Sequence, residues 1–510
     1  MRPSQFTFVF FAFLFSQQLY AGDLCLNPDL ADQPILAEGR PIPLGIYADH
    51  LRKSVFTSGS CSAVSSTALY CFLSFGKKEE VEQTYSCRLD IKAEHVSTFA
   101  LLGLPGRGSP VSPELARSKY DELLNAYHLL EQSNETGSGA GLDLSSLLQR
   151  ISSYEKMVTA EDWRLLLVGR EWKTLAELRA RADAEGVASV ALTGRSFLTP
   201  DELRVMGLET LYERTKPFTV AVFICLLGLV AALAADRSRF FFLATPVLLG
   251  TLIVTEVAGV ALRVLISGRA PVTNMFETVM WVGLCVLVLS TVLGILLKNR
   301  QIFAVGFVGN AAALFMMVFA NRMLDGGIQP LVPVLRSNFW LSTHVTSVTS
   351  SYACFMFSAV LANFVLAMQL LKKAPAAFVE RWNYVIRIAM QIGTVLLAAG
   401  VILGGVWADY SWGRFWGWDP KETWSLIALI VYIGILHGRY VGWFRGLGFA
   451  RAGALGFLSI IMAWFGVNNI LAVGLHSYGF SSGGVVFVVS LVAVQVFLSA
   501  ASYIQEVRTR

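Results

Sequence analysis

A chain of 510 residues with 55% hydrophobic content and only 15% charged residues cannot be one water-soluble domain. The formal net charge of +5 is small, and its cations fall in short segments between apolar runs, which excludes a nucleic-acid patch and makes them topology signals. Met1 to Lys216 has ordinary soluble composition, and apolar runs dominate from Pro217 onward.

Residues 1–22 carry one Arg, an apolar core from Phe6 to Phe15 and a small-residue ending, Leu19-Tyr20-Ala21. A core of roughly ten residues is too short to span a bilayer and reads as a signal peptide, with an uncleaved anchor as the alternative. Residues 23–216 are expected to form an extracytoplasmic soluble α+β domain. Its first part, 23–100, holds Cys25, Cys61, Cys71 and Cys87, an even number in an oxidising space, and so two disulfides of open connectivity. The alternating runs Ser54 to Phe56, Ala68 to Phe75 and Thr84 to Leu89 read there as strands. The second part, 101–216, reads as helical: Ser112-Pro113-Glu114 opens a helix through Leu115 to Glu131, and further helices are expected over 144–154, 160–184 and 199–212, with a loop at 137–141. His50, His95 and His128 are scattered through this domain.

Residues 217–510 predict an all-α polytopic membrane domain of about nine spans, near 217–235, 240–266, 277–297, 302–321, 340–371, 385–407, 423–437, 451–470 and 484–505. Arg237/Arg239, Lys298/Arg300, Lys372/Lys373/Arg381, Arg439/Arg445/Arg451 and Arg508/Arg510 occupy every second connection and the C-terminus, which are therefore expected on the cytoplasmic side. The soluble domain and the alternate loops then share the outer side. Cys225, Cys285 and Cys354 lie inside spans, where a thiol behaves as a small hydrophobe, and no Cys-x-x-Cys occurs.

The loop at 407–424 concentrates Tyr410, Trp412, Trp416, Trp418 and Trp424 between two spans. That density exceeds what interfacial anchoring requires and predicts a bed for a flat, apolar, partly charged ligand. His344 lies at the outer end of the fifth span and His476 in the outer loop after the eighth, so both can flank the tryptophans. Two imidazoles and an aromatic shelf suit a haem, with His344 and His476 as candidate axial ligands. Arg414, Lys421 and Arg336 are on the side where anionic propionates would need cations, and they serve equally well as solvated loop charges. Asp419-Pro420-Lys421-Glu422 reads as a capping-box start to the seventh span, so Asp419 shapes the loop as much as it touches a ligand. His437, fifteen residues beyond Glu422, would sit roughly 22 Å deeper along a helix. It is either an interfacial residue beside Arg439 or a ligand at a second, inner site. Glu256 and Asn310 are polar groups within spans, open to a packing or a functional role.

Trp412-Gly-x-x-Trp416-x-Trp418-Asp419-Pro-Lys-Glu-Thr-Trp resembles the tryptophan-rich WWD signature of haem-handling membrane proteins. Ala270-Pro-Val-Thr-Asn274-Met-Phe-Glu277, Trp340-Leu-x-x-His344-Val with Ser350-Ser-Tyr352-Ala, Leu436-His437-x-Arg439 and Gly474-Leu-His476-Ser-Tyr-Gly-Phe narrow the resemblance to the CcsA/ResC branch of system II cytochrome c biogenesis, over most of Pro217 to the C-terminus. The resemblance implies a multi-pass protein of the bacterial inner membrane that binds haem b at the outer face, through His344, His476, Trp412, Arg414, Trp416, Trp418 and Asp419. It implies that His437 contributes to an inner haem site. As a subunit of a cytochrome c synthase (haem lyase) the protein would present haem for thioether attachment to an apocytochrome c bearing Cys-x-x-Cys-His. A CcsB/ResB-type membrane partner and thioredoxin-like thiol reductants are then expected, and no residue of this chain is expected to be the reacting nucleophile. Export of haem without ligation is the competing expectation. The N-terminal domain has no counterpart in the resemblance.

Overall fold

The computed structural model describes residues 25–509 except 38, 58, 76–77, 94, 107, 134–138, 160–163, 167–171, 175–197, 320–323, 325, 329–336 and 472–484. The expected signal peptide at 1–22 lies outside the described residues. The chain divides into two compact units, Met1–Arg214 and Thr215–Arg510.

The first unit is α+β. Strands β1 (Pro34–Ala37) and β2 (Arg40–Pro43) pair antiparallel, with Ile35 opposite Ile42. Two three-residue strands, β3 (Arg164–Leu166) and β4 (Trp172–Thr174), complete a sheet of order β2-β1-β3-β4. Around it lie α1 (Leu44–Val55), α2 (Ser66–Ser74), α3 (Lys78–Thr84), α4 (Val96–Leu101), α5 (Pro113–Ser118), α6 (Tyr120–Gln132), α7 (Gly139–Thr159) and α8 (Pro200–Thr215).

These positions correct several expectations. Residues 54–55 end α1, and Ala68 to Ser74 is α2, so neither run is a strand. Thr67 to Ser74 is buried on every side, which erases the amphipathic alternation that separates helix from strand, and the Ser65 side chain caps the helix by accepting from the Ala68 N–H. Thr84 to Leu89 ends α3 and continues as turn and irregular chain. The helix expected over 160–184 gives way to β3 and β4 in its described residues, where pairing with β1 overrides local propensity. The expected Gly-rich loop is shortened, because α7 starts at Gly139. The Ser112 cap and Pro113 start α5 as expected, though a break at Lys119 separates α5 from α6. Thr199 and Glu202 form a reciprocal cap at the start of α8.

Two disulfides, Cys25–Cys71 and Cys61–Cys87, tie the N-terminal segment and the 61–64 turn to the α2–α3 region. The half-buried Arg52 donates to the carbonyls of Ser60, Cys61 and Val64, which fixes the same turn. His95 caps α4, His50 faces Glu213 at 3.5 Å and His128 faces Glu131 at 3.3 Å, so all three take local structural partners.

The second unit holds the apolar helices. Among the described residues nine are long and apolar enough to cross a membrane: Pro200–Ala234, Arg239–Ser267, Met275–Leu296, Gln301–Phe319, Asn338–Leu370, Ala376–Trp412, Pro420–Tyr440, Leu447–Asn468 and Val488–Arg508. The apolar part of the first is Pro217–Ala234. The protein is multi-pass. The fifth span is the hub and packs against the third, fourth, sixth, eighth and ninth. Two buried polar contacts cross between helices. Arg263 of the second span, fully buried, meets Glu277 of the third at 3.0 Å and donates to the Gly326 carbonyl. Trp281 of the third span donates to Ser350 of the fifth at 3.0 Å.

The sixth span departs most from expectation. It runs on to Trp412, where Gly413 in the left-handed region (φ 67) caps it and its N–H returns to the Asp409 carbonyl. The seventh begins at Pro420. The loop expected over 407–424 is therefore a short connection, Gly413 to Asp419.

Candidate functional site

The starts of the third, fifth and seventh spans and the ends of the sixth and eighth meet at one end of the bundle and enclose a cavity. The fifth gives His344 and Tyr352, the sixth Gly404 and Trp407, the 413–419 connection Phe415 and Trp416, the seventh Lys421 and Glu422, and the eighth Trp464 and Asn468.

His344 sits in a π-helical turn, Leu341–Val345, that widens the first part of the fifth span. Its Nδ1 lies 2.7 Å from the Gly400 carbonyl of the sixth span. A carbonyl only accepts, so Nδ1 carries the proton and Nε2 the lone pair, the tautomer a metal-ligating imidazole needs. The ring also packs edge-on against Trp407, 5.7 Å between centroids. Its close approach depends on Gly404, where an added Cβ would lie 2.6 Å from His344 Cε1. Trp340 lies nearly parallel to Trp407, at 6.4 Å and 11°.

The tryptophan connection is held by one carboxylate. Glu422, buried, accepts from the Gly417 N–H at 2.7 Å and pairs with Arg414 at 3.1 Å, while its own N–H donates to Asp419 Oδ1 at 2.9 Å. Asp419 and Glu422 form the capping box read in the sequence, with Pro420 at the first helical position. Arg414 also lies over Trp412, 5.6 Å from its ring. A Cβ at Gly417 would displace the Arg414 guanidinium from its present position. Trp418 takes a left-handed φ of 57 and turns outward, 70% exposed, with its ring edge-on to Trp416.

The structure thus brings His344, Trp416 and Glu422 to one cavity, with Asp419 and Arg414 shaping the connection that carries Trp416. Trp412 and Trp418 do not line it. His437 lies at the opposite end of the seventh span, exposed, with Nδ1 3.0 Å from the Ile433 carbonyl one turn before. His476 and Arg336 lie outside the described residues. Sequence reading missed Trp407, Trp464, Asn468 and the two helix positions, Gly400 and Gly404, that seat His344. Trp464 and Asn468 are spaced i, i+4 at the end of the eighth span, a pattern that could have marked a shared helix face. Trp407 carried no such signal, because tryptophans near span ends are common anchors.

Glu256 of the second span and Asn310 of the fourth are both buried and belong to a different part of the bundle from this cavity.

The sequence model of the family described as Cytochrome C assembly protein matches residues 272–476, a stretch that contains every residue lining the cavity. The protein NrfI of Wolinella succinogenes is 38% identical over 290 residues, 54% of this chain and 31% of its own length. The cytochrome c biogenesis protein CcsA of Chlamydomonas reinhardtii is 34% identical over 225 residues, 42% of this chain and 62% of its own. The CcsA of Synechococcus sp. (strain RCC307) is 34% identical over 251 residues, 42% of this chain and 78% of its own. The chain thus spans less than two thirds of the first two relatives, and most of the third. Identity at that level over most of a relative's length, on the segment that builds the cavity, makes this chain a member of the CcsA family of cytochrome c biogenesis membrane proteins.

Proposed function

We propose that the protein binds haem b in this cavity and presents it at the outer membrane face for attachment to an apocytochrome c, as a subunit of a system II cytochrome c synthase. The observation that carries the reading is the meeting of His344 with the tryptophan connection in one cavity. The residues suit the group. His344 presents its Nε2, Trp407, Phe415, Trp416 and Trp464 give flat apolar walls, and Gly404 and Gly405 admit the close approach of the His344 and Phe415 rings. Haem supplies the vinyl carbons, and each thiol of the apocytochrome's Cys-x-x-Cys-His adds its sulfur to one vinyl carbon and its proton to the other. This chain's contribution is orientation: an edge held still raises the effective concentration of the second reactant.

His476 is proposed as the second axial ligand. Trp412 and Trp418 are proposed to extend the aromatic platform from outside the cavity wall. His437, near the far end of the seventh span, is proposed as part of an inner site completed by a CcsB/ResB-type partner; its exposure on the helix surface suits a ligand shared with another chain. Loop charges support a topology with the cavity, the 413–419 connection and the first unit outside the cytoplasm of a bacterial cell, after a signal peptide. Both disulfides of the first unit agree with an oxidising space, and thioredoxin-like proteins would keep the apocytochrome thiols reduced.

The test is the visible spectrum of the purified full chain and its His344→Ala variant, with and without excess imidazole. A Soret band that is weakened in the variant and partly restored by imidazole is expected; wild-type haem retention in a His344→Ala/His476→Ala double variant overturns the ligand assignment. Co-expression with a partner and an apocytochrome then separates ligation from export: haem that resists acid-acetone extraction is expected, and complete extraction leaves export alone.

A further inference from the structure

The cavity at the end of the transmembrane bundle presents hydrogen-bond donors that no group among the described residues accepts. Trp416 and Trp464 both line it, and the Nε1–H of each is buried with no acceptor among the described residues. An indole N–H is a donor only and cannot escape the cost of burial by changing protonation. Lys421 lines the same cavity, and its Nζ donates to Asn468 Oδ1 at 2.9 Å, which uses one of the three donors of an ammonium. The carboxylate and amide oxygens nearby each already accept a hydrogen bond. Glu422 holds Arg414 and the Gly417 N–H, Asn274 caps the Glu277 N–H, and Asn468 takes Lys421.

Lys421 is also pinned at the start of the seventh span, where the Asp419-Glu422 cap fixes the backbone. Crossing to the eighth span, it ties the first turn of one helix to the segment that carries Trp464. The three donors therefore come from the 413–419 connection, the seventh span and the eighth, and they share one cavity with His344. The group that answers all three most fully is small, anionic and acceptor-only. Aliphatic and vinyl edges offer nothing to such a wall, whereas a carboxylate oxygen pair can take several N–H donors at once.

We infer that Lys421, Trp416 and Trp464 form a carboxylate subsite, which on the haem reading above seats one propionate while His344 meets the iron. The consequence is directional. With one propionate fixed at this wall and the iron fixed at His344, the macrocycle cannot rotate in its plane, and the vinyl edge is aimed consistently.

The experiment titrates the purified full chain, freed of bound porphyrin, with ferric protoporphyrin IX and with its dimethyl ester, which keeps iron, ring and vinyl groups and removes both carboxylates. Affinity and Soret position are read for the wild type, Trp464→Phe and Lys421→Met. The wild type is expected to bind the ester on the order of 10- to 100-fold more weakly than the free acid, the range set by hydrogen bonds to a charged group. Both variants are expected to narrow that ratio while the Soret position, which reports His344, stays that of the wild type. Equal affinity of the wild type for acid and ester overturns the subsite and leaves the haem reading intact. Failure of both porphyrins to bind the wild type overturns the subsite and the haem reading together. Because that comparison changes only the ligand, it does not depend on either variant folding.

Discussion

Replacing Gly404 with Ala tests how His344 is held. The new Cβ would lie 2.6 Å from His344 Cε1 and 3.0 Å from Nδ1, where ordinary contact begins near 3.4 Å, so the ring must move by about 0.8 Å, the difference 3.4 − 2.6. The ring has little slack, since Nδ1 is bonded to the Gly400 carbonyl at 2.7 Å and one edge faces Trp407. Losing that bond costs about 0.5–1.5 kcal/mol. Alanine in a helix interior returns about 1 kcal/mol relative to glycine. The two nearly cancel, so the fold should survive with a melting temperature close to that of the wild type, while the imidazole is displaced far enough to matter for a bond to iron. The assay is a haem titration followed at the Soret band, with thermal unfolding in the same detergent and an imidazole rescue. Weaker binding that free imidazole restores, at near-constant stability, is expected. A variant with wild-type affinity and spectrum would refute the claim that Gly404 positions His344.

Three further outcomes follow from the geometry. Glu422→Ala removes the acceptor of the Gly417 N–H and the partner of Arg414, at a cost of about 1–3 kcal/mol for the groups left unpaired; faster amide exchange at Gly417 should report it, and unchanged exchange would show that the carboxylate does not hold the connection. Removing the Cys25–Cys71 or Cys61–Cys87 disulfide opens loops of 46 and 26 residues, worth about 4 and about 3.5 kcal/mol by chain entropy. Denaturant unfolding of the first unit within the full chain, compared between Cys25→Ser/Cys71→Ser and Cys61→Ser/Cys87→Ser variants, should show the larger loss for the first pair. Burial pushes the Tyr154 hydroxyl from 10.0 up to about 12. A raised folded value means its contribution is intact below pH 10 and is lost as pH rises toward 12, so Tyr154→Phe should flatten the alkaline fall in stability of the first unit.

The spans, the capping box and the candidacy of His344 were legible because each rests on short-range physics. A bilayer demands long apolar helices, a helix start needs its first N–H groups satisfied, and a histidine near a span end is costly enough to be rare. The strands of the first unit were not legible. β3 and β4 are three residues each and exist only by pairing with a distant β1, and α2 is buried all round, so its sequence carries no period to read.

By itself, the sequence determined that the chain is multi-pass, roughly where its long apolar helices fall, and that Asp419 and Glu422 cap the start of the seventh. Only the tertiary structure decided which tryptophans face the cavity. Trp416 lines it and Trp418 does not, because Glu422 anchors the Gly417 N–H while Trp418 adopts a left-handed backbone. The same holds for His344, whose tautomer is set by a carbonyl fifty-six residues away in the next helix. Side-chain direction and proton position depend on neighbours distant in the chain, and no local pattern encodes them.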